Sequence, residues 1–440
     1  MLQLLPYQKK HAESIIRALT SLNRAAADLS DAGSGKTFVS CYSVAYIGSP
    51  CVIVTNKATK PSWEKVSAGF GLKPILITNY ESIRRGRFPE CRKSGNGFVW
   101  NLPHDTTIIF DECQRCKSRT SLNAKLLIAA RSQHYRLILC SATAANSPLE
   151  MYAFGYALGL HQLWNFWTWA RRNGVTQGFF GMEFTGGKEA LRKLHNDIFP
   201  ARGSRMRISE IPDFPSSVVT AEIIDTGKAK AIQREYDRLR NELRRAEQYG
   251  NREQLQAVAN ELGAKKASHL TLVLRARQAI ELYKVPAMVE MTRAALEEGQ
   301  SVVLLVNFSA TIETLMEQLD CPHVIRGGQS PAERQQVIDR FQRNEILVVI
   351  ANIQAGGVGV SLHDPEGQRS RLSIISPTFS AADLRQALGR VHRAGGAASI
   401  QKICFAAGTC EEHTAQICAA KLAQIDLLND GDMQPFPIHF

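Results

Sequence analysis

The sequence predicts an α/β protein with two parallel-sheet lobes and a helical insertion between them. Short apolar runs alternate with stretches of helical periodicity along most of the chain. The 440 residues exceed what one ordinary core organises. A phosphate-loop pattern lies near the start and a pair of arginines near the end, so each half carries one functional feature. We therefore expect two lobes, each a parallel sheet with helices on both faces.

The predicted strands are apolar runs that end at polar or turn-forming residues. One helix start is also clear, because Ser330 and Glu333 have the spacing of a capping box and Pro331 takes the first helical position. The predicted strands are residues 27–30, 51–55, 75–78, 107–110 and 136–140 in the first half, and 302–306, 323–325, 346–350 and 372–375 in the second.

The composition changes between the two lobes. Ile232, Tyr236, Leu239 and Leu243 recur at helical spacing amid dense charge, and Gly250 precedes a second helical stretch. This pattern predicts a helical hairpin, which serves either as a solvated linker or as a grip on the substrate. The expected division is 1–225 for the first lobe, 226–284 for the insertion, 285–430 for the second lobe and 431–440 for a tail.

Composition limits the classes of function. The formal charge of +12 and the pI near 9.3 favour a polyanionic partner. No apolar run reaches the roughly 18 residues of a membrane helix, and the N-terminal segment does not resemble a signal peptide. Ten irregularly spaced cysteines favour a reducing compartment, with Cys113 and Cys116 as free thiols. We expect a cytoplasmic protein, bacterial or within the host cell of a virus, with no membrane partner.

The segment 31–37, DAGSGKT, has the pattern of a loop that cradles phosphates. Its glycines let the backbone turn tightly so that N–H groups face phosphate oxygens, and its lysine neutralises their charge. Its threonine hydroxyl would hold Mg²⁺. Ser30 stands where the strict pattern has its first glycine. The residues expected to bind ATP here are Gly33, Ser34, Gly35, Lys36 and Thr37.

Two carboxylates, Asp111 and Glu112, directly follow the apolar run 107–110. A desolvated pair of charges is costly, so its presence at a strand end indicates a function. Asp111 is placed to bind Mg²⁺, and Glu112 to polarise an attacking water. Ser141 and Thr143 follow the strand 136–140, where their hydroxyls can bond the carboxylates and transmit the nucleotide state.

In the second lobe, Arg390 and Arg393 lie three residues apart on a predicted helix and hence on one face. Two guanidiniums that stabilise a transferring phosphoryl group act as arginine fingers. Gln386 and Gly389 beside them argue against a mere basic surface patch.

Other residues are candidates for contact with nucleic acid. Three glycines within residues 354–359 allow close approach to a phosphate. A basic run at residues 202–207 is either a phosphate contact or a surface feature. An aromatic cluster at residues 164–169, followed by two arginines, is interpreted as helical core rather than a base-stacking surface. The coupling and nucleic-acid candidates are Ser141, Thr143, Gln354, Gly357, Gly359 and Arg205.

Together these residues resemble superfamily 2 helicases, specifically the Swi/Snf-type DNA translocases, over nearly the whole chain. The segment 5–8, LPYQ, is similar to that family's adenine-reading segment, which implies Gln8 as the base contact. The segment 111–114, DECQ, stands where the family usually has DEAH. Gln386 and the VHR ending at Arg393 are closer to the Swi/Snf pattern than to the RNA-helicase pattern. From Lys284 onward the second lobe is most similar to the fork-remodelling, strand-annealing subgroup.

The resemblance implies two RecA-like P-loop lobes that use ATP and Mg²⁺. It implies a monomeric motor that moves on duplex or forked DNA without sequence preference, in replication, recombination or repair, with a replication or repair protein as partner. The alternatives are a strand-separating DNA or RNA helicase, a non-catalytic nucleic-acid clamp and a P-loop metabolite kinase. Intact Lys36, Asp111, Glu112, Arg390 and Arg393 argue against the clamp. The size and the lack of appended modules favour a viral or bacterial source.

Overall fold

The computed structural model describes residues 2–178, 181–225, 227–248, 252–261, 268–354, 360–378, 380–430 and 438–439. Within these residues the chain forms two compact units. Unit 1 comprises residues 2–214 together with residues 421–430, and unit 2 comprises residues 215–420 and 438–439.

Strands and helices alternate along unit 1. Its strands are β1 (Ala25–Asp28), β2 (Cys51–Thr55), β3 (Leu76–Asn79), β4 (Arg87–Phe88), β5 (Cys91–Ser94), β6 (Gly97–Trp100), β7 (Thr107–Asp111), β8 (Arg136–Cys140), β9 (Val175–Gly178), β10 (Gly181–Phe184) and β11 (Gly203–Ser204). Its helices are α1 (Pro6–Thr20), α2 (Lys36–Ile47), α3 (Lys60–Gly69), α4 (Tyr80–Ile83), α5 (Leu122–Ser132), α6 (Tyr152–Ala157), α7 (Phe166–Arg172) and α8 (Gly187–Ile198).

The main sheet of unit 1 is parallel, in the order β11-β1-β8-β7-β2-β3. Its strands are buried on both faces, which is why they are continuous apolar runs rather than alternating ones. Ile108 and Phe110 point into one core, shared with Leu126 of α5, whereas Ile109 points into the opposite core, shared with Ile15 of α1. Helices therefore cover both faces.

The strand register places three loops at one edge of this sheet. Asp28 and Asp111 both pair with Cys140, so the last residues of β1, β8 and β7 lie in one row. The loops that follow these strands carry the phosphate-loop pattern, Ser141 and the two carboxylates. In parallel sheets, ligands bind at this carboxyl edge.

Unit 2 is a second parallel α/β unit. Its strands are β12 (Ser217–Ile224), β13 (Ser301–Val306), β14 (Val324–Ile325), β15 (Val348–Asn352), β16 (Arg371–Ile375), β17 (Ser399–Ala406) and β18 (Ile438–His439). Its helices are α9 (Gly227–Gln248), α10 (Arg252–Glu261), α11 (His269–Tyr283), α12 (Val285–Glu297), α13 (Ser309–Gln318), α14 (Pro331–Gln342), α15 (Ala381–Leu388) and α16 (Cys410–Asp430), whose last turns belong to unit 1.

The sheet of unit 2 has the order β14-β15-β13-β16-β17-β12-β18, with every described pairing parallel. The predicted α/β fold class is therefore confirmed. The capping box before α14 is also present, since Glu333 N donates to the Ser330 hydroxyl and Ser330 N donates to the Glu333 carboxylate.

The expected lobe boundary at residue 225 is wrong. Strand β12, which precedes it, pairs along its whole length with β17 and so belongs to the sheet of unit 2. Neither β12 nor its partner β17 is among the predicted strands, so the pairing that sets this boundary was not predicted. At the expected tail, β18 pairs with β12, while residues 431–437 and 440 lie outside the described residues.

The helices at residues 227–283 belong to unit 2 and pack against one another. Leu239 and Leu243 of α9 are buried with Val258 of α10 and Leu272 of α11, so three helices associate where the periodic pattern predicted a hairpin. In the part of the chain that the structure describes, every helix is too short or too polar to cross a membrane.

Candidate active site

The phosphate loop lies between β1 and α2 and is held in a left-handed conformation at two glycines. Gly33 has a φ of 85° and Gly35 a φ of 95°, values that only glycine adopts readily. A Cβ at Gly35 would also lie 2.2 Å from Gln8 Nε2. Gly35 is therefore required both by its backbone conformation and by the close approach of Gln8.

Gln8 joins the first helix to the phosphate loop. Its Oε1 accepts a bond from Leu5 N at 3.0 Å, and its Nε2 donates to Ser34 O at 3.2 Å. The side chain is buried. The predicted adenine contact is thus positioned by both ends of its amide, directly beside the loop.

Lys36 lies at the start of α2 and turns back over the loop. Its Nζ donates to Ser30 O at 2.8 Å and to Asp31 O at 2.9 Å. The ammonium is therefore held by carbonyl groups of the loop itself, and phosphate oxygens would take the place of these acceptors. Thr37, the next residue of α2, is partly buried.

Ser30, which replaces the usual first glycine, supports the loop from beneath. It is fully buried, and its hydroxyl accepts a bond from Met206 N at 3.0 Å. Asp31 N in turn donates to Met206 O at 2.9 Å. A side chain at position 30 thus ties the loop to the segment after β11, which explains why a glycine is not needed there.

Arg205 belongs to this supporting segment. Its guanidinium pairs with Asp31 Oδ1 at 2.9 Å and donates to Leu29 O at 2.6 Å, and its side chain is 8% exposed. Ile208 N donates to Asp31 Oδ2 at 2.9 Å. The predicted nucleic-acid contact at Arg205 needs correction, because parallel pairing of β11 with β1 directs this guanidinium to the phosphate loop.

Asp111 ends β7 with its carboxylate buried. Its Oδ2 accepts bonds from Thr55 Oγ1 at 2.6 Å and from Trp63 Nε1 at 2.8 Å. Burial, followed by the charge of Glu112, raises the pKa of Asp111 to about 6, while the two donors and Lys36 oppose the shift. Bringing a cation to this carboxylate would relieve both causes of the raised pKa.

Glu112 has a left-handed backbone with φ 53° and ψ 49°. This conformation is costly for a residue with a side chain and persists only where the surroundings enforce it. Strain of this kind concentrates at functional sites. Here it occurs at the turn where the chain leaves β7, one residue after the buried carboxylate.

A chain of hydrogen bonds connects Glu112 with the loop after β8. Gln114 Nε2 donates to Glu112 Oε2 at 2.5 Å, and Gln114 Oε1 accepts from the Ser141 hydroxyl at 2.7 Å. The same hydroxyl accepts from Thr143 N at 2.9 Å. The structure therefore joins the carboxylate to the two predicted coupling residues, with Gln114 as the bridge.

In unit 2, Arg390 and Arg393 lie after a helix rather than on it. Helix α15 carries Gln386 and ends at Leu388, so the prediction that both arginines share one helical face is wrong. The helix ends because Gly389 leaves helical geometry and Arg390 turns back, its Nη1 donating to Val360 O at 3.0 Å.

The segment 386–393, which carries the two arginines, is bonded to the start of unit 2. His392 Nε2 lies 2.8 Å from Pro215 O, just before β12. Gln354 is the first residue of the predicted glycine-rich turn. It follows β15, and its N–H donates to Asn352 Oδ1 at 2.9 Å. Residues 355–359, and with them Gly357 and Gly359, lie outside the described residues.

Sequence reasoning missed the residues that orient Asp111 and the phosphate loop. Thr55 could have been found, because it ends the strand adjacent to β7 in the predicted sheet. Trp63 and Met206 carried no signal, since a helical tryptophan and a backbone amide are equally typical of ordinary core.

Known proteins are similar to this chain in sequence, one over almost its whole length and others over about a third of it. Residues 283–395 match the family of the helicase conserved C-terminal domain. A provisionally named ATP-dependent RNA helicase of Acanthamoeba polyphaga mimivirus is 31% identical over 98% of this chain and 84% of its own length. The chain belongs to the superfamily 2 helicases. It is thus an ATP-dependent enzyme of nucleic acids.

Two DNA repair proteins show shorter similarity to this helicase. DNA repair protein RAD5A of Arabidopsis thaliana is 26% identical over 33% of this chain, and DNA repair and recombination protein RAD54 of Saccharomyces cerevisiae is 28% identical over 29%. The match spans 14% of the length of each.

The ion pair between Arg205 and Asp31 yields a first prediction. Arg205→Gln and Asp31→Asn should each raise KM for ATP about tenfold, because a charge-assisted contact is worth ~1.5–3 kcal/mol. The double variant should lose less than the sum of the two single losses, because both substitutions remove the same ion pair. Steady-state kinetics of the four proteins test this. Additive losses, or reduced nucleic-acid affinity with unchanged KM, would contradict it.

The raised pKa of Asp111 predicts how stability depends on pH. Between pH about 4 and 6 the folded protein binds more protons than the unfolded chain, so the free energy of unfolding falls as pH rises. Asp111→Asn should therefore raise it by ~2 kcal/mol at pH 8, with little change at pH 4. Urea unfolding without nucleotide or Mg²⁺ measures this.

The matched control is Asp105→Asn, the same chemical change at an exposed carboxylate. Its effect should be small and nearly independent of pH. Equal effects of the two substitutions at pH 8 would show that Asp111 carries no burial penalty.

Proposed function

We propose that this helicase is an ATP-driven translocase on duplex or forked DNA, which remodels DNA or protein–DNA complexes in replication, recombination or repair. The hydrogen-bond chain from Glu112 through Gln114 to Ser141 carries the proposal of a motor. It links a hydrolytic carboxylate to the loop after the neighbouring strand, as coupling of ATP turnover to movement requires.

The residues of unit 1 fit ATP and Mg²⁺ chemically. Lys36 would neutralise the β- and γ-phosphates, with backbone N–H groups of Gly33, Ser34 and Gly35 around them. Oxygen ligands suit a hard divalent cation, and the Thr37 hydroxyl and the buried Asp111 carboxylate would hold Mg²⁺. The bound ion would supply charge neutralisation for the departing phosphate.

The remaining roles follow from this arrangement. Glu112 would orient and activate the attacking water, and Gln8 would contact adenine. Arg390 and Arg393, with Gln386, would stabilise the transferring phosphoryl group. Residues that would pass the nucleotide state to the nucleic acid are Ser141, Thr143, Gln354, Gly357 and Gly359.

The choice of DNA is supported by charge and by similarity. The net charge of +12 suits a phosphate backbone, and two DNA repair proteins share part of the sequence. A second candidate, a strand-separating RNA or DNA helicase, is favoured by the near full-length similarity to the mimivirus protein. Both candidates use the same motor and differ in the substrate that stimulates it.

The hydrogen-bond chain predicts different effects for two neighbouring substitutions. Glu112→Gln keeps an acceptor for Gln114 but removes the charge, so hydrolysis should fall by roughly two to four orders of magnitude while ATP still binds. Gln114→Leu breaks the chain, so basal hydrolysis should persist but stimulation by nucleic acid should be lost. Nucleotide-binding and ATPase assays separate the two. Loss of ATP binding in Glu112→Gln would assign that residue a structural role.

A substrate panel decides between the two candidates. Duplex or forked DNA should stimulate ATPase activity more than single-stranded DNA or RNA of equal length, and the affinity should fall steeply with salt because phosphate contacts release counterions. Base sequence should matter little. Lys36→Ala, which should bind DNA without turnover, serves as the control. Strong stimulation by RNA with none by duplex DNA would select the second candidate.

A further inference from the structure

Two tryptophans of unit 1 point into solvent. Trp164, in the turn before α7, is 86% exposed, and Trp167 in the first turn of that helix is 36% exposed. The interpretation of this aromatic cluster as helical core therefore holds for only part of it. Phe166 and Ala170 are buried, while Trp167 and Arg171, four residues apart on α7, are exposed, and Trp164 precedes them in the turn Leu163–Asn165.

Aromatic side chains pack against one another beneath the exposed Trp167 ring. Phe166 meets Tyr152 edge to face at 5.0 Å between centroids, and the Trp167 ring lies 5.1 Å from Phe166. His161 lies 4.7 Å from the Trp169 ring and 3.1 Å from Met151 O. This support restricts the rotation of Trp167 and so lowers the entropy that a ligand would have to remove.

One cationic side chain lies over the Trp167 ring, and two more follow on the same helix. The guanidinium of Arg119 lies 5.0 Å from the Trp167 centroid and 6.0 Å from that of Tyr152. Arg171 and Arg172 at the end of α7 are exposed, and residues 163–172 include no Asp or Glu. The surface therefore combines aromatic faces with positive charge.

We propose that Trp164, Trp167 and Arg119 form a stacking platform for unpaired bases of a single-stranded nucleic acid, with Arg171 and Arg172 on its phosphates. Every base has a π-face that stacks on an aromatic ring or a guanidinium, so such a surface binds single strands without sequence preference. The inference rests on the proposed action on nucleic acid but adds a base contact that a motor on a duplex backbone does not need.

The charge around the rings favours a nucleic acid over a protein partner. The fully buried centre of a protein interface is depleted of charged residues. Here a guanidinium covers Trp167 and two more follow on the same helix, an arrangement suited to a polyanion. Arg119 also follows Gln114 in the segment between β7 and α5, so this one member of the platform lies in the chain segment that leads away from the carboxylates.

The test uses two fluorescent strands of equal length, oligothymidine and an abasic strand that has the phosphates but no bases. Anisotropy should show tighter binding of oligothymidine to the unaltered protein. The double variant Trp164→Ala/Trp167→Ala should bind oligothymidine at least tenfold more weakly and the abasic strand unchanged. Arg171→Gln/Arg172→Gln should weaken both strands. Stimulation of ATPase by fully duplex DNA should persist in the tryptophan variant.

The matched control is Tyr46→Ala, which removes an aromatic ring that is 69% exposed elsewhere on unit 1. It should bind both strands as the unaltered protein does. Equal affinity of the unaltered protein for the two strands would overturn the platform, and so would full oligothymidine binding by the tryptophan variant. Full binding combined with altered self-association in sedimentation would assign the rings to a protein interface instead. Failure of any nucleic acid to bind or stimulate the unaltered protein would overturn the proposed function itself.

Discussion

The candidate active site depends on keeping a negative charge at the buried end of β7. Burial and the adjacent charge of Glu112 both disfavour the ionised form of Asp111. Two neutral donors, Thr55 from β2 and Trp63 from α3, compensate in part. Because β2 pairs with β7, Thr55 lies beside Asp111, and α3 brings Trp63 to the same carboxylate oxygen.

The side-chain amide of Gln114 is suited to bridge Glu112 and Ser141. An amide presents a donor and an acceptor at once, so one side chain can bond Glu112 and Ser141 together. A histidine at this position could do so only when neutral, and would lose its acceptor on protonation near pH 6.5. Glutamine does not titrate, so the bridging side chain keeps both its donor and its acceptor at any pH.

The sequence predicted those features that local pattern determines. Apolar runs predicted most strands of the two main sheets, the spacing of Ser330 and Glu333 predicted a helix start, and the glycines predicted the tight turn of the segment 31–37. The direction of Arg205 was not predictable, because it depends on pairing between β11 and β1, strands that lie far apart in the sequence. The arginines near residue 390 lie beyond their expected helix because α15 ends at Leu388, and the following Gly389 is a helix-stop signal that the sequence does contain.

Unit 2 also holds a buried charge near the ends of its strands, but there an ion pair within the protein neutralises it. The Lys284 ammonium donates to both oxygens of Glu411 at 2.8 and 2.9 Å, to Cys404 O at 2.9 Å and to Ser376 Oγ at 3.3 Å. This group is neutralised within the protein and ties α12, β17 and α16 together. Asp111 has neutral donors and a repelling neighbour instead. In the proposed function, a cation bound at Asp111 would therefore change the energy of unit 1, whereas the buried pair of unit 2 is already neutralised within the protein.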